Sequence, residues 1–244
     1  MKNIKNLLID KIETIKIGDI VEFGSYPQSL KEKEISIQNC SPTDKGYYIG
    51  NDNCNYEFYR EYYYKVEPLL WKILDIKDDK ILLFSERILL RHEYSLARNN
   101  YKKSKARLFI NNEFYNKAFT KEEQEKIIPT LIDNSLFSTT HEKNPYVCKN
   151  TFDKIYLLSL RDITNPEYGF NENTEEDENR CKKITSYAAN SGAASDNEGN
   201  GYYYLRTPSF YEFESEYTVL NDGSILSSSL GNTGIAPALW IKIK

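Results

Sequence analysis

Residues able to do chemistry concentrate in the second half of the chain. His141 precedes Cys148 by seven positions, and a thiol activated by a base would use such a pair, but nearness along the chain does not bring the ring to the sulfur. Two histidines exclude a three-His metal centre, and an iron site would need carboxylates to complete it. The four cysteines, Cys40, Cys54, Cys148 and Cys181, form no C-x-x-C pair and have no cluster of His nearby, so they read as free thiols rather than zinc ligands. Asp196, Glu198 and Asn200 alternate before Gly201 as calcium ligands do, yet the twelfth position is Thr207 and not a bidentate Glu, so a flexible loop is expected. The 36 acidic residues offer too many pairs to single out a glycosidase couple. No catalytic set, metal site or cofactor is therefore expected.

The best binding signal is Tyr202, Tyr203, Tyr204 and Arg206, followed by Pro208 and preceded by the Gly/Ser/Asn-rich run SGAASDNEGNG. Strand alternation would turn at least one tyrosine outward, where its ring can stack on a sugar or peptide while Arg206 offers a fork of donors. Arg180, at the end of the acidic run NENTEEDENR, and Asp222, in the Asn221-Asp222-Gly223 turn, complete the candidate ligand-binding set. The competing reading makes Arg206 a buried structural arginine that satisfies loop carbonyls or pairs with an acid. Arg107 and Asn111, one helical turn apart, likewise suit pinning a loop to the core.

Elements must position these residues. IKIGDIVEFGSYPQS reads as a short strand that breaks at Gly24 and Pro27, with residues 28 to 45 a polar loop. Two aromatic runs between Gly46 and Val66 predict a hairpin around an Asn/Asp turn, and LLWKILDI and ILLFS predict a second across Lys77-Asp78-Asp79-Lys80. Ser104 caps a helix to about Asn116, and Thr120 with Glu123 forms a capping box for another that stops before Pro129. KIYLLSL reads as a strand, residues 181 to 189 as a short helix, and the remainder as strands, with a hairpin through Asn221-Asp222-Gly223. The terminal run ALWIKIK alternates, and a strand so short needs a partner, for which residues 15 to 23 are the expectation.

The 244 residues suit one domain with insertions: an N-terminal extension at 1–14, and an inserted loop and tyrosine-rich hairpin at 28–66. Twenty tyrosines outnumber Phe and Trp together, which fits both half-buried strands and binding surfaces. A net charge of −4 lacks the basic footprint of phosphate-backbone binding, so nucleic acid is not an expected partner. The first residues mix Lys, Asp and Glu through the apolar positions, unlike a signal peptide, and no run approaches the ~20 apolar residues of a membrane span. The expected location is the cytoplasm by default, without membrane association.

Several separated motifs resemble an uncharacterised bacterial domain family of unknown function: GDIVEFGSYPQ, YKVEPLLWKILDI, ILLFSERIL, ARLFINNEFYNKAF, IYLLSL with NPEYGF, RCKKITSYAANSGA, YYYLRTPS, NDGSI and GIAPALWIKI. The resemblance spans nearly the whole chain in order and brings no activity with it. Its end, L-R-T-P, an Asp-Gly hairpin and P-A-L-W, is also similar to C-type-lectin-like folds, including relatives of the formylglycine-generating enzyme. That likeness implies an α+β fold: a twisted antiparallel sheet, two main helices, long loops at 164–216 forming a variable face, and paired N- and C-terminal strands. Ala236 stands where the family usually carries Arg. Oxidases of this fold need two close cysteines near these last motifs, which this chain lacks. The resulting expectation is a non-enzymatic module that binds a carbohydrate, peptide or protein; its rivals are an enzyme acting on a glycan or peptide, and a structural or assembly component.

Overall fold

The computed structural model describes residues 2–3, 15–95, 99–228 and 231–243. Most of the predicted N-terminal extension lies outside them. In chain order the strands begin with β1 (Lys2–Asn3), β2 (Ile20–Leu30), β3 (Tyr48–Ile49), β4 (Asn55–Tyr59), β5 (Tyr62–Lys77), β6 (Lys80–Ser85) and β7 (Leu90–Arg91). A helical segment α1 follows at 105–118, then α2 (Lys121–Lys126), β8 (Ile127–Ile128), β9 (Thr130–Ile132), β10 (Thr151–Asp153), α3 (Leu160–Ile163) and α4 (Ser186–Ser191). The chain ends in β11 (Tyr203–Pro208), β12 (Glu216–Val219), β13 (Ile225–Ser228), β14 (Gly234–Ile235) and β15 (Ala238–Lys242). The fold is α+β with mostly antiparallel sheets.

The largest sheet runs β1-β2-β5-β6-β15-β8, with β4 added to β5 and β3 to β4; a second runs β13-β12-β11-β14-β7, and β9 and β10 form a ribbon. The terminal strands share the large sheet without being neighbours, which corrects the expected pairing: β2 bonds to β5, and β15 lies between β6 and β8. The cause is the β5–β6 hairpin. Its tight turn at Asp78 (φ 52°) keeps both strands in the sheet between the two ends of the chain.

Gly24 and Pro27 do not break β2, again against expectation. Register shifts on either side of Ser25–Pro27 make bulges, and the strand continues to Leu30. Gly24 sits at φ +73°, and a Cβ there would fall 2.6 Å from the Phe119 ring. Trp71, fully buried in β5, donates its indole N–H to the Phe23 carbonyl at 2.7 Å, and Phe23 packs on Phe119 with centroids 5.2 Å apart.

The predicted caps are present. Ser104 Oγ accepts from the Arg107 N–H at 3.1 Å, and Thr120 and Glu123 exchange both bonds of a capping box. Residues 110–114 of α1 depart from α geometry into a π turn, a feature frequent at functional sites. Residues 155–159, predicted as a strand, form no ladder: their backbone meets the sheets through the Tyr156–Ala238 bridge and through the Arg206 N–H, which donates to the Leu158 carbonyl at 2.9 Å. Side chains take up other backbone groups around the segment. Asn111 Nδ2 donates to the Ile155 carbonyl (2.7 Å) while its Oδ1 accepts from Lys154, and Thr207 Oγ1 accepts from Leu160. With Arg107 bridging to Asp153, the Arg107–Asn111 pair pins this segment to the core, as its spacing indicated.

Candidate functional site

The Tyr202–Arg206 segment enters the second sheet at its middle strand, and every residue of β11 is buried. The Tyr203 ring packs against Phe84 and its hydroxyl donates to the Arg180 carbonyl at 2.9 Å; Tyr204 packs on Tyr94 and bonds to Thr233. Only Tyr202 is half-buried. Arg206, 6% exposed, donates from Nη1 to Asp162 Oδ2 (2.7 Å) and the Leu157 carbonyl (2.8 Å), and from Nη2 and Nε to the Asp133 carbonyl. Burial raises the Asp162 carboxyl, but Arg206 beside it prevails and holds it below the usual carboxylate range. The donor fork expected to meet a ligand is therefore occupied within the protein.

Arg180 is fully buried and plays the same part elsewhere. It donates to the carbonyls of Ile163 (3.0 Å), Glu175 (3.0 Å), Asn173 (2.6 Å), Gly223 (3.3 Å) and Asn171, and Asp177 lies 3.4 Å from its Nε. It thus clips the exposed acidic loop 171–176 to the core and to the Asp222–Gly223 turn. Gly223 is required there: it has φ +80°, and a Cβ would stand 2.0 Å from the Asp177 carbonyl oxygen. The Asp222 side chain is exposed and accepts from the Ser224 N–H and hydroxyl. The structure therefore gathers Arg180, Tyr203 and the Asp222 turn at one end of β11, and leaves Arg206 in a separate knot with Asp162.

The other residues weighed for chemistry also have structural partners. His141 Nε2 lies 2.8 Å from the Tyr217 hydroxyl, and its ring stacks between Phe210 and Tyr217; burial pushes the Cys148 thiol up. Asp196 accepts from the Glu198 and Asn200 N–H groups and from Asn221 Nδ2, which closes its loop as a turn. Ala236 is buried.

A cleft of about 300 Å³ opens elsewhere, where β2, β4, β7, α1 and α4 converge. One helix face supplies Phe109, Glu113 and Lys117 at i, i+4 and i+8 of α1, spanning the π turn. Strand β4 supplies Glu57 and Tyr59, two residues apart and so on one face, while Tyr26 comes from β2 and Tyr187 and Ser191 from α4. The Tyr187 ring contacts Tyr26 (5.7 Å), Tyr59 (5.1 Å) and Tyr64 (5.3 Å), and His92 stacks on Phe109 at 4.3 Å. His92 Nδ1 lies 2.9 Å from the Glu93 carbonyl oxygen, so Nδ1 carries the proton.

Lys117 pairs with Glu57 at 2.5 Å and lies 5.6 Å from the Tyr47 ring centre. Among the described residues the second Glu57 oxygen and the Tyr47 hydroxyl are buried and have no hydrogen-bond partner. Burial first, and then the Glu57 charge, raise the hydroxyls of Tyr47 and Tyr187; Tyr26 is raised by burial, by Tyr187 and by Glu57. The hairpin wall is set by the Arg60-Glu61 turn, where both residues adopt positive φ (43° and 74°) without glycine. Arg60 Nη1 donates to the Asn190 carbonyl at 2.9 Å, which fastens the turn to α4. None of these cleft residues belongs to the candidate binding set read from sequence. The i, i+4, i+8 trio and the Glu57/Tyr59 alternation were the available signals, but nothing local ties the two together.

By class the chain is a mixed α+β protein built largely on antiparallel sheets. A profile for a domain of unknown function (DUF6273) matches residues 78–243, and the chain belongs to that family. No curated protein and no solved structure matches it. The matched stretch holds β7, α1 and α4 of the cleft, whereas Tyr26, Glu57 and Tyr59 come from the part before it. Among the described residues no helix is long and apolar enough to cross a membrane.

Proposed function

We propose that this protein is a ligand-binding module rather than an enzyme, and that it binds through the tyrosine-walled cleft. The observation that carries this reading is the open pocket itself: aromatic rings and charged groups from five elements line a concavity at the lower end of the usual ligand-site range. Ser191 Oγ donates to the Ala188 carbonyl and accepts from the Arg91 N–H, so no base draws its proton toward nucleophilic use. Helices packed on antiparallel strands support a C-type-lectin-like frame, while the separation of β2 from β15 departs from the closed-ends form of that fold.

A thermal-shift screen of the purified chain against sugars, short peptides and amines tests the proposal. A compound at about 100 times its Kd adds roughly 2.7 kcal/mol, which moves the Tm of a chain this size by about 5–10 °C. Loss of that response in Tyr59→Ala and Phe109→Ala, with an unchanged circular-dichroism spectrum, is the expected result. A response retained in both variants, or none to any class, overturns the assignment.

A further inference from the structure

We infer that the ligand taken by this cleft carries a protonated amine, received between the aromatic rings and the carboxylates of Glu57 and Glu113. The inference rests on the cleft being the binding surface, and it specifies what that surface selects.

The charges of the cleft are not equally free. Lys117 is held by Glu57, and the Arg91 side chain runs to the Gly231 carbonyl, where Nε donates at 2.9 Å. Glu113 is exposed on the α1 face and makes no hydrogen bond or ion pair among the described residues. After internal pairing, the charge left over on the cleft face of α1 is therefore negative. The walls add to this preference. Faces of Tyr and Phe rings attract cations electrostatically, the more so when desolvated, and Tyr26, Tyr59, Phe109 and Tyr187 all line the space.

The protein already places an ammonium group in this chemistry. Lys117 Nζ rests against a Glu57 oxygen and near the Tyr47 ring, a carboxylate-plus-aromatic seat, and Glu113 lines the same cleft one helical turn away. Burial is the main cause that raises the hydroxyls of Tyr26, Tyr47 and Tyr187, and the Glu57 charge adds to it in each, so that carboxylate is felt along the inner wall beside its lysine. An anion would meet Glu113 on α1, with Arg91 of β7, turned toward the Gly231 carbonyl, as the cation across the cleft, and a neutral polyol would leave Glu113 without a charge partner.

Isothermal titration calorimetry at matched ionic strength decides the point, with n-butylammonium, choline and Nα-acetyl-lysine amide as cationic probes and butyrate and methyl glucoside as controls. The cationic probes are expected to bind, with Kd at least tenfold weaker in Glu113→Gln and with affinity falling as sodium chloride rises. Glu113 has no partner among the described residues to lose, so this variant is expected to keep its fold, which its unfolding midpoint verifies. Acetyl-lysine amide binding alone would place the amine on a peptide side chain, whereas binding of all three would indicate free small amines; either supports the inference. Binding of methyl glucoside or butyrate in preference to the amines, abolished by Tyr59→Ala, would overturn the amine specificity and leave the cleft as the binding site. Amine binding unchanged in both Glu113→Gln and Glu57→Gln overturns the inference, and silence of every probe together with a failed thermal-shift screen removes both claims.

Discussion

Strand β11 and the β4–β5 hairpin are both rich in tyrosine beside an arginine, YYYLR at 202–206 and YREYYY at 59–64, yet they meet different surroundings. β11 is the middle strand of its sheet, covered on one face by Phe84 and on the other by Tyr94, so its polar atoms must find partners inside. The hairpin is added to the side of the large sheet, and Tyr59 keeps an exposed part over the cleft. Arginine follows the same division. Arg206 and Arg180 organise loops from within, whereas Arg60 fastens a turn from outside. Composition alone does not distinguish a recognition surface from a well-satisfied core; the position of the strand in its sheet does.

Substitutions should separate the two regions, and the largest effect belongs to Arg180. Arg180→Met removes the donors to five carbonyls and leaves Asp177 buried without its cation, for an expected loss of about 3–5 kcal/mol in urea unfolding. A cost under ~1 kcal/mol would mean that the acidic loop holds itself. Arg206→Lys comes next. A lysine retains the charge but not the fork that reaches Asp162, Leu157 and Asp133 together, so the variant is expected to lose roughly 2 kcal/mol and not to behave as a conservative change.

Two buried titrating groups give pH-dependent effects with opposite signs. Burial raises Glu216 to about 8, so the folded state holds a proton that the unfolded state releases above about 4.5, and stability falls as pH rises between those values. Burial lowers Lys182 to about 7, so the folded state lacks a proton that the unfolded state keeps up to about 10.5, and stability rises with pH across that window. Glu216→Gln is expected to raise Tm at pH 8 and to leave it little changed at pH 4.5. Lys182→Met is expected to raise Tm at pH 6 and much less at pH 10. Reversal of either pattern in a pH series of melts would contradict the burial of that side chain. The smallest effects belong to the cleft, where Glu113→Gln should change stability by no more than about 0.5 kcal/mol because its carboxylate has no partner among the described residues.

The features legible in the sequence were those written in neighbouring residues. Ser104, the Thr120–Glu123 box, the 77–80 hairpin and the Gly223 turn each depend on groups within a few positions of one another. What was not legible depends on distant partners. The 155–159 segment lacks a ladder because its backbone bonds are divided among distant groups, Asn111 at Ile155, the Tyr101 hydroxyl at Leu157 and single backbone bonds to Ala238 and Arg206, and β2 survives Gly24 and Pro27 because bulges absorb them. The terminal strands are separated by a hairpin that sequence predicted correctly but could not place in the sheet. The candidate site suffered most. Its aromatic and charged residues come from five elements between Tyr26 and Ser191, and only the fold brings them to one face.

The most direct test of the binding surface is backbone amide chemical-shift mapping with the compound that gives the largest thermal shift. The changes are expected at 57–59, 91–92, 109–117 and 187–191, with 202–206 undisturbed. Changes centred on 202–206 and Asp222, with the cleft silent, would return recognition to β11 and contradict the account.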